Sequence, residues 1–251
     1  MTVTEYSTAL VVGASSGIGE AIARKLATEG VNVAIVARRE QELLKVTGEI
    51  NAAAGRDLAV AVAHDVRAID DVPGLVREIA RRLGGLDLVV YAAGVMPAVA
   101  GDEYDTDKDR EMMEVNAIGA MAWLNPVADR MSRLGRGTIV GIGSVAGDRG
   151  RSGNPGSCAS KAAFHTFLEA LRNRVAVHGV KVTTIKPGFV DTAMTRGREG
   201  LFWVISPDRA AEIILAKARR GAVTAYVPAR WRVVMTIIRA IPSMIFTRLG
   251  I

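Results

Sequence analysis

The chain has one cysteine, three histidines and only 5% aromatic residues among its 251. A single thiol, Cys158, excludes an internal disulfide framework and suits a reducing compartment. His64, His165 and His178 are scattered, no metal-ligand cluster can be assembled from the sequence, and no metal is expected. No apolar run reaches the ~18 residues of a membrane span. The N-terminus enters a strand directly, without a basic region and a cleavable apolar one, so a cytoplasmic protein is expected. Acidic residues stop at Glu212. Beyond it stand Lys217, Arg219, Arg220, Arg230, Arg232, Arg239 and Arg248, while the first 212 residues carry 25 cations against 26 acids. The basic balance therefore belongs to the tail, which argues against a nucleic-acid groove across the domain.

What is present is apolar residues at 49% and 26 glycines, enough for one α/β domain with many tight strand-to-helix turns. Thr8–Val12 is a short β-branched run, expected as a buried strand. It ends in Gly13-Ala-Ser15-Ser16-Gly17-Ile18-Gly19, followed by a helical pattern from Glu20, and a second strand is expected over 31–37. A strand, glycine turn and helix place backbone amides and a helix N-terminus against a pyrophosphate. Gly13 permits the turn, Gly17 a close approach and Gly19 tight helix packing; the bland alternative is a glycine turn without a ligand. The second strand ends Ala37-Arg38-Arg39. Ala37 stands where an acid would bond a ribose 2′-hydroxyl, and Arg38, with Arg39 beside it as a further cofactor candidate, suits a 2′-phosphate, with Ser15 able to add a hydrogen bond. NADP(H) is therefore preferred over NAD(H), unless Arg38 and Arg39 are only solvated helix-start charges.

Helices are expected over roughly 40–54, 68–83, 108–134, 156–177 and 207–219, and further strands over 58–63, 86–91, 138–142, 180–185 and 225–227. Alternating βα units with short links imply right-handed crossovers and a seven-stranded parallel sheet, doubly wound in the Rossmann manner.

Strand five is followed by Ser144. Thirteen residues on comes Ser157, with Lys161 one helical turn further on the same face. Together with the Gly-x-x-x-Gly-x-Gly turn, these features resemble the short-chain dehydrogenase/reductase family over roughly residues 6–228. That resemblance implies hydride transfer between a nicotinamide and a ketone or secondary alcohol. It assigns Ser144 to the carbonyl oxygen, Lys161 to the nicotinamide ribose, and Asn116, in Glu-Val-Asn, to a water beside the lysine. It also assigns cofactor contacts to Ser16, Ile18, Asp65-Val66, Ala93-Gly94, and to Pro187, Gly188, Val190 and Thr192 of a Pro-Gly-x-x-x-Thr loop. Residues 193–205 would form a substrate lid, its Phe202 and Trp203 pointing to an apolar or lipid-bearing ligand. A homodimer or homotetramer is implied, with Phe164, Phe167, Leu168 and Leu171 as an apolar face unless they turn to the sheet.

Two positions depart from the family. Tyr91 and Ala92 replace the asparagines of Asn-Asn-Ala-Gly, removing a brace of the sheet. Ser157 replaces the tyrosine of Tyr-x-x-x-Lys, whose phenol gives the proton. A serine hydroxyl is a far weaker acid and stops several ångströms short, so catalysis should be severely impaired. The spacing supports neither Tyr91 nor Tyr104 as a substitute. Three readings stand: a reductase whose tyrosine was removed by design or drift, a non-catalytic NADP(H)-binding regulatory or scaffold protein, and an enzyme with another proton donor. The first is preferred.

The tail, 229–251, sets Trp231, Val234, Ile238 and Ile241 at helical spacing before Pro242 breaks the helix, and a second short helix is expected through Phe246. Apolar and cationic, residues 230–249 could lie on an anionic membrane, or pack on the substrate side or on a partner subunit. The Arg-x-Ile-Pro-x-x-Ile-Phe pattern and Ala-Gly-Asp-Arg-Gly-Arg after Ser144 are similar to the polyprenyl-phosphate ketopentose reductases of cell-wall arabinan synthesis.

Overall fold

A computed structural model describes residues 6–197 and 199–249. Seven strands form one parallel sheet: β1 (Thr8–Val12), β2 (Asn32–Ala37), β3 (Ala59–Ala63), β4 (Leu88–Tyr91), β5 (Gly137–Ile142), β6 (Val180–Pro187) and β7 (Thr224–Val227). Their spatial order is β3-β2-β1-β4-β5-β6-β7. Strand side chains alternate between faces. Ala9 and Val11 of β1 accordingly join one core, Leu10 and Val12 the other.

The first core lies under α1 (Gly17–Thr28), α2 (Glu40–Ala54) and α7 (Pro207–Arg219). The second lies under α3 (Val72–Leu83), α5 (Gly119–Leu134) and α6 (Pro155–Val175). Covering both faces explains why the strands are continuously apolar rather than alternating. The direction of winding reverses between β1 and β4. Ligand crevices of such sheets open beyond the strand carboxyl ends at this switch point, and Gly13, Ala93 and Ser144 lie at those ends.

The helix expected over 108–134 is not regular. It runs as α4 (Thr106–Met113), then a wide turn at Glu114–Ile118, then α5, with Gly119 N–H reaching back five residues to Glu114 O. Tyr91 gives a physical reason. Its hydroxyl donates to Val115 O at 2.7 Å, and a side chain inserted into the carbonyl ladder locally widens a helix. The tyrosine also meets Phe164 edge-on at 5.7 Å, so it braces the sheet end where the expected asparagine is missing.

Phe164, Leu168 and Leu171 are buried in the second core, and Phe167 packs against it. They face the sheet and do not supply an apolar dimer face. The tail forms α8 (Trp231–Ala240) and α9 (Ser243–Phe246). Its buried residues are Trp231, Met235 and Phe246, with Val234 and Ile238 half-buried. Met235, rather than Ile241, completes the inner stripe, since it follows Trp231 by one turn. Among the described residues, no helix is long and apolar enough to cross a membrane.

Candidate functional site

A cavity of about 540 Å³ opens at the β1/β4 switch point. It is lined by Gly13, Ser15, Ser16, Gly17, Ile18 and Gly19 at one end, and by Ser144, Ser157 and Lys161 at the other. Arg38, Arg39, Val66, Ala93, Gly94, Pro187, Gly188, Val190 and Thr192 complete the expected set that lines it. Asn116 and Asp65 do not reach its wall. His64, Met96, Gly143, Met194 and Thr195 line it without having been singled out as cofactor or catalytic positions. They follow strand ends or sit in the lid, where only the folded path of the chain reveals the contact.

The glycine turn is fitted to this place. Gly13 has φ +90°, and a Cβ there would stand 2.3 Å from Ala93 N and 2.6 Å from Ala92 C. Gly17 has φ +63°, conformations that only glycine adopts without strain. No side chain caps α1, so its first amides are left for a ligand at the positive end of the helix. Arg39 Nη2 donates to both Ser15 Oγ and Ser16 Oγ at 2.9 Å. The sequence puts weight on Arg38, but Arg38 turns toward Asp65, 3.9 Å away. Asp65 is further held by Arg67, whose hydrogen bond keeps its carboxyl below the usual carboxylate range.

At the other end, Lys161 is buried, its Nζ 3.5 Å from Ile142 O. Burial lowers its ammonium to about 8. The folded value lies below the unfolded 10.5, so between about pH 8 and about pH 10.5 the unfolded chain binds more protons. Lys161's contribution to stability therefore rises with pH across that window. Unfolding midpoints of the parent chain and Lys161→Met should converge or cross as pH increases from 8; a constant difference would contradict this.

Asn116 is spent inside the fold. Its Oδ1 accepts from Val95 N at 2.8 Å, and its Nδ2 donates to Val95 O and Ser160 Oγ. It stands behind Gly94, where an added Cβ would meet Asn116 Oδ1 at 3.1 Å and Lys161 Nζ at 3.2 Å. Ser157 is buried and its N–H donates to Asn154 Oδ1, the α6 cap. The preceding Gly156 is closely packed on α4: a Cβ would meet Asp109 Oδ1 at 2.1 Å. Tyr91 is fully buried and its ionisation pushed upward by burial, while Tyr104 is 98% exposed. Neither lines the cavity. No tyrosine, cysteine, aspartate or glutamate does among the described residues.

A second network, not visible in the sequence, holds the turn that carries Ser144. Ser144 N–H donates to His165 Nε2 at 3.3 Å. An accepting Nε2 puts the ring proton on Nδ1, which faces Asp148 Oδ1 across 3.9 Å. Burial, then the nearby Lys186, lowers His165 to about 3, so the ring is neutral at ordinary pH. Asp148 also pairs with Lys186 and accepts from the Tyr226 hydroxyl at 2.6 Å. Burial and this bond push Tyr226 up to about 12. Ser144 Oγ accepts from Ala146 N at 3.1 Å, leaving its own proton to aim elsewhere.

Comparison with known proteins gives a consistent picture. A family model described as short chain dehydrogenase matches residues 7–200. An uncharacterized oxidoreductase of Myxococcus xanthus is 40% identical over 190 residues, covering 76% of this chain and 74% of that protein. One of Staphylococcus epidermidis is 34% identical over 191 residues, 76% and 81% of the two chains. Among solved structures, an actinorhodin polyketide ketoreductase with NADPH superposes with a TM-score of 0.78 at 29% identity, covering 90% of this chain and 96% of that one. The chain belongs to the short-chain dehydrogenase family.

Proposed function

We propose that the cavity binds NADP(H) and a ketone or secondary alcohol, and that the chain is an oxidoreductase whose turnover is held low by Ser157. The observation that carries the cofactor reading is the triplet Arg39, Ser15 and Ser16, a cation and two hydroxyls beside an uncapped helix N-terminus. This donor set suits a phosphate on the adenosine ribose, with the pyrophosphate over the first amides of α1. The NADPH of the ketoreductase relative is consistent with it. Replacing Arg39 by alanine should weaken NADPH binding about 10- to 100-fold, as expected for a lost charge-assisted contact, and change NADH binding little. A fluorescence titration with both nucleotides reads this; equal losses for both would overturn the NADP(H) preference.

A bound nicotinamide would supply or accept the hydride. The chain's own residues then act on the oxygen of the substrate. Ser144 donates its free proton to that oxygen and supports the charge developing there. Lys161 would hold the ribose and place a positive charge nearby, and Asn116 fixes the backbone of Val95 beside it. Gly188, Val190 and Thr192 would border the nicotinamide end of a bound cofactor, and Val66, Ala93 and Gly94 its adenine-to-ribose path; Asp65, paired with Arg38 and Arg67, would act through them. The proton that a phenol at 157 would give is missing.

The acid-poor lining favours a second reading, a non-catalytic NADP(H)-binding regulatory or scaffold protein. Binding without turnover that tyrosine at 157 fails to rescue on any substrate would select it. We further propose an apolar or lipid-linked substrate, because Phe202 and Trp203 stand in the lid, and peripheral membrane contact through residues 230–249. We also propose a cytoplasmic place, supported by the single, buried Cys158. Self-association as a homodimer or homotetramer is read by sedimentation velocity.

A further inference from the structure

The tail is pinned, and the pinning decides which of its faces remains outside. Arg149 Nη1 donates to the carbonyls of Ile238, Arg239 and Ile241 at 2.8, 3.1 and 2.6 Å. Carbonyls at a helix C-terminus lack partners within the helix and carry its negative end, so the guanidinium satisfies both needs. The same group lies 4.0 Å over the Phe246 ring. Trp231 is seated where a Cβ on Gly188 would meet its Nε1 at 1.9 Å. Trp231 and Met235 are thus buried on the inner side of α8, and its other face is left outside.

What remains outside is apolar and cationic. Val233 is 64% exposed, Ile237 61% and Met244 79%; Val233 and Ile237 share one helix face. The lid reaches α8 from its inner side, where Phe202 stacks on Trp231 with centroids 5.1 Å apart and Trp203 meets Trp231 edge-on at 5.8 Å, while Phe202 and Trp203 themselves stay exposed beside the helix. Arg230 lies 4.7 Å over Trp203, and Arg232 and Arg248 are exposed. No carboxylate side chain follows Glu212. Exposed aliphatics with arginine and tryptophan at their border, and no acids, match an interfacial surface for anionic lipid. Met194 of the same lid lines the cavity and is itself partly exposed.

We propose that the lid and the outer face of α8–α9 form one docking surface for an anionic bilayer, set beside the mouth of the cavity. This deepens the proposed function by naming the surface from which an apolar substrate would reach the site. The test needs no turnover. The full chain is co-sedimented with phosphatidylcholine vesicles with and without phosphatidylglycerol, at low and high salt. It should partition onto the anionic vesicles alone, less so in high salt. Arg230→Glu with Arg232→Glu should weaken that partition at least 10-fold, and Ile237→Asp should also release the chain, both with NADPH binding unchanged. Absence of partition onto anionic vesicles overturns the proposal. So does a dimer that Ile237→Asp converts to monomer without vesicle binding, which would give this face to a second copy. Vesicle binding by a chain that fails to bind NADPH would leave this surface standing and remove the reductase reading instead.

Discussion

Replacing Ser157 by tyrosine is expected to raise kcat for NADPH-dependent ketone reduction by about 10²–10⁴-fold, the usual worth of a positioned general acid. Ser157 lines the cavity with Ser144 and Lys161. A phenol there would extend past the serine hydroxyl toward the space between them. Its ordinary pKa near ~10 would be lowered by the Lys161 ammonium, which favours phenolate. That ammonium titrates at about 8 in the free chain, so the gain should be largest where it stays charged and shrink above that pH. Among the described residues, no other tyrosine, cysteine or carboxyl group lines the cavity to mask the effect. Initial rates of NADPH oxidation by both forms, on one panel of ketones and keto-sugars, measure the ratio. A ratio near one with a substrate that both forms turn over would mean that another group already gives the proton.

Asp148→Ala is expected to lower folding stability by about 3–5 kcal/mol, because removing one partner of a buried ion pair leaves the other charge uncompensated. The Asp148 side chain is only 2% exposed and Lys186 13%, and the Tyr226 hydroxyl would lose its acceptor as well. Urea midpoints at unchanged m-value would register the loss; a shift equivalent to less than about 1 kcal/mol would show that water or another group rescues Lys186. The variant should also loosen the turn at 145–149, which Asp148 ties to β6 and β7, and so reduce the effect of a tyrosine introduced at 157. His165, at about 3 in the folded chain against 6.5 unfolded, makes stability rise with pH between about pH 3 and about pH 6.5 and adds no pH dependence well above that window.

How far these features were legible depends on the range of the contacts that make them. The strands follow from β-branched runs such as Thr8–Val12, and α7 from an apolar period between Ser206 and Arg219, whose cap Ser206 accepts from Arg209 N. The glycine turn was legible because its residues are consecutive. Arg38 and Arg39 were both legible as cofactor candidates, but which of them meets Ser15 and Ser16 was not, since that requires the end of β2 to be placed against the loop 23 and 24 residues earlier. Likewise the Asp148 network joins residues 38 and 78 positions apart, and no periodicity encodes that. The widened turn at Glu114–Ile118 depends on Tyr91, 24 residues before the carbonyl it bonds. The departure from Asn-Asn-Ala-Gly was visible in the sequence; the brace that replaces it became visible only in the fold.

The most direct test is to titrate NADPH and NADH into the parent chain and the Ser157→Tyr form, following quenching of tryptophan emission. A cavity built for NADP(H) whose proton donor alone is missing predicts tight NADPH binding, nearly equal in the two forms and stronger than NADH binding. A parent chain that binds neither nucleotide, while remaining folded, would contradict the account.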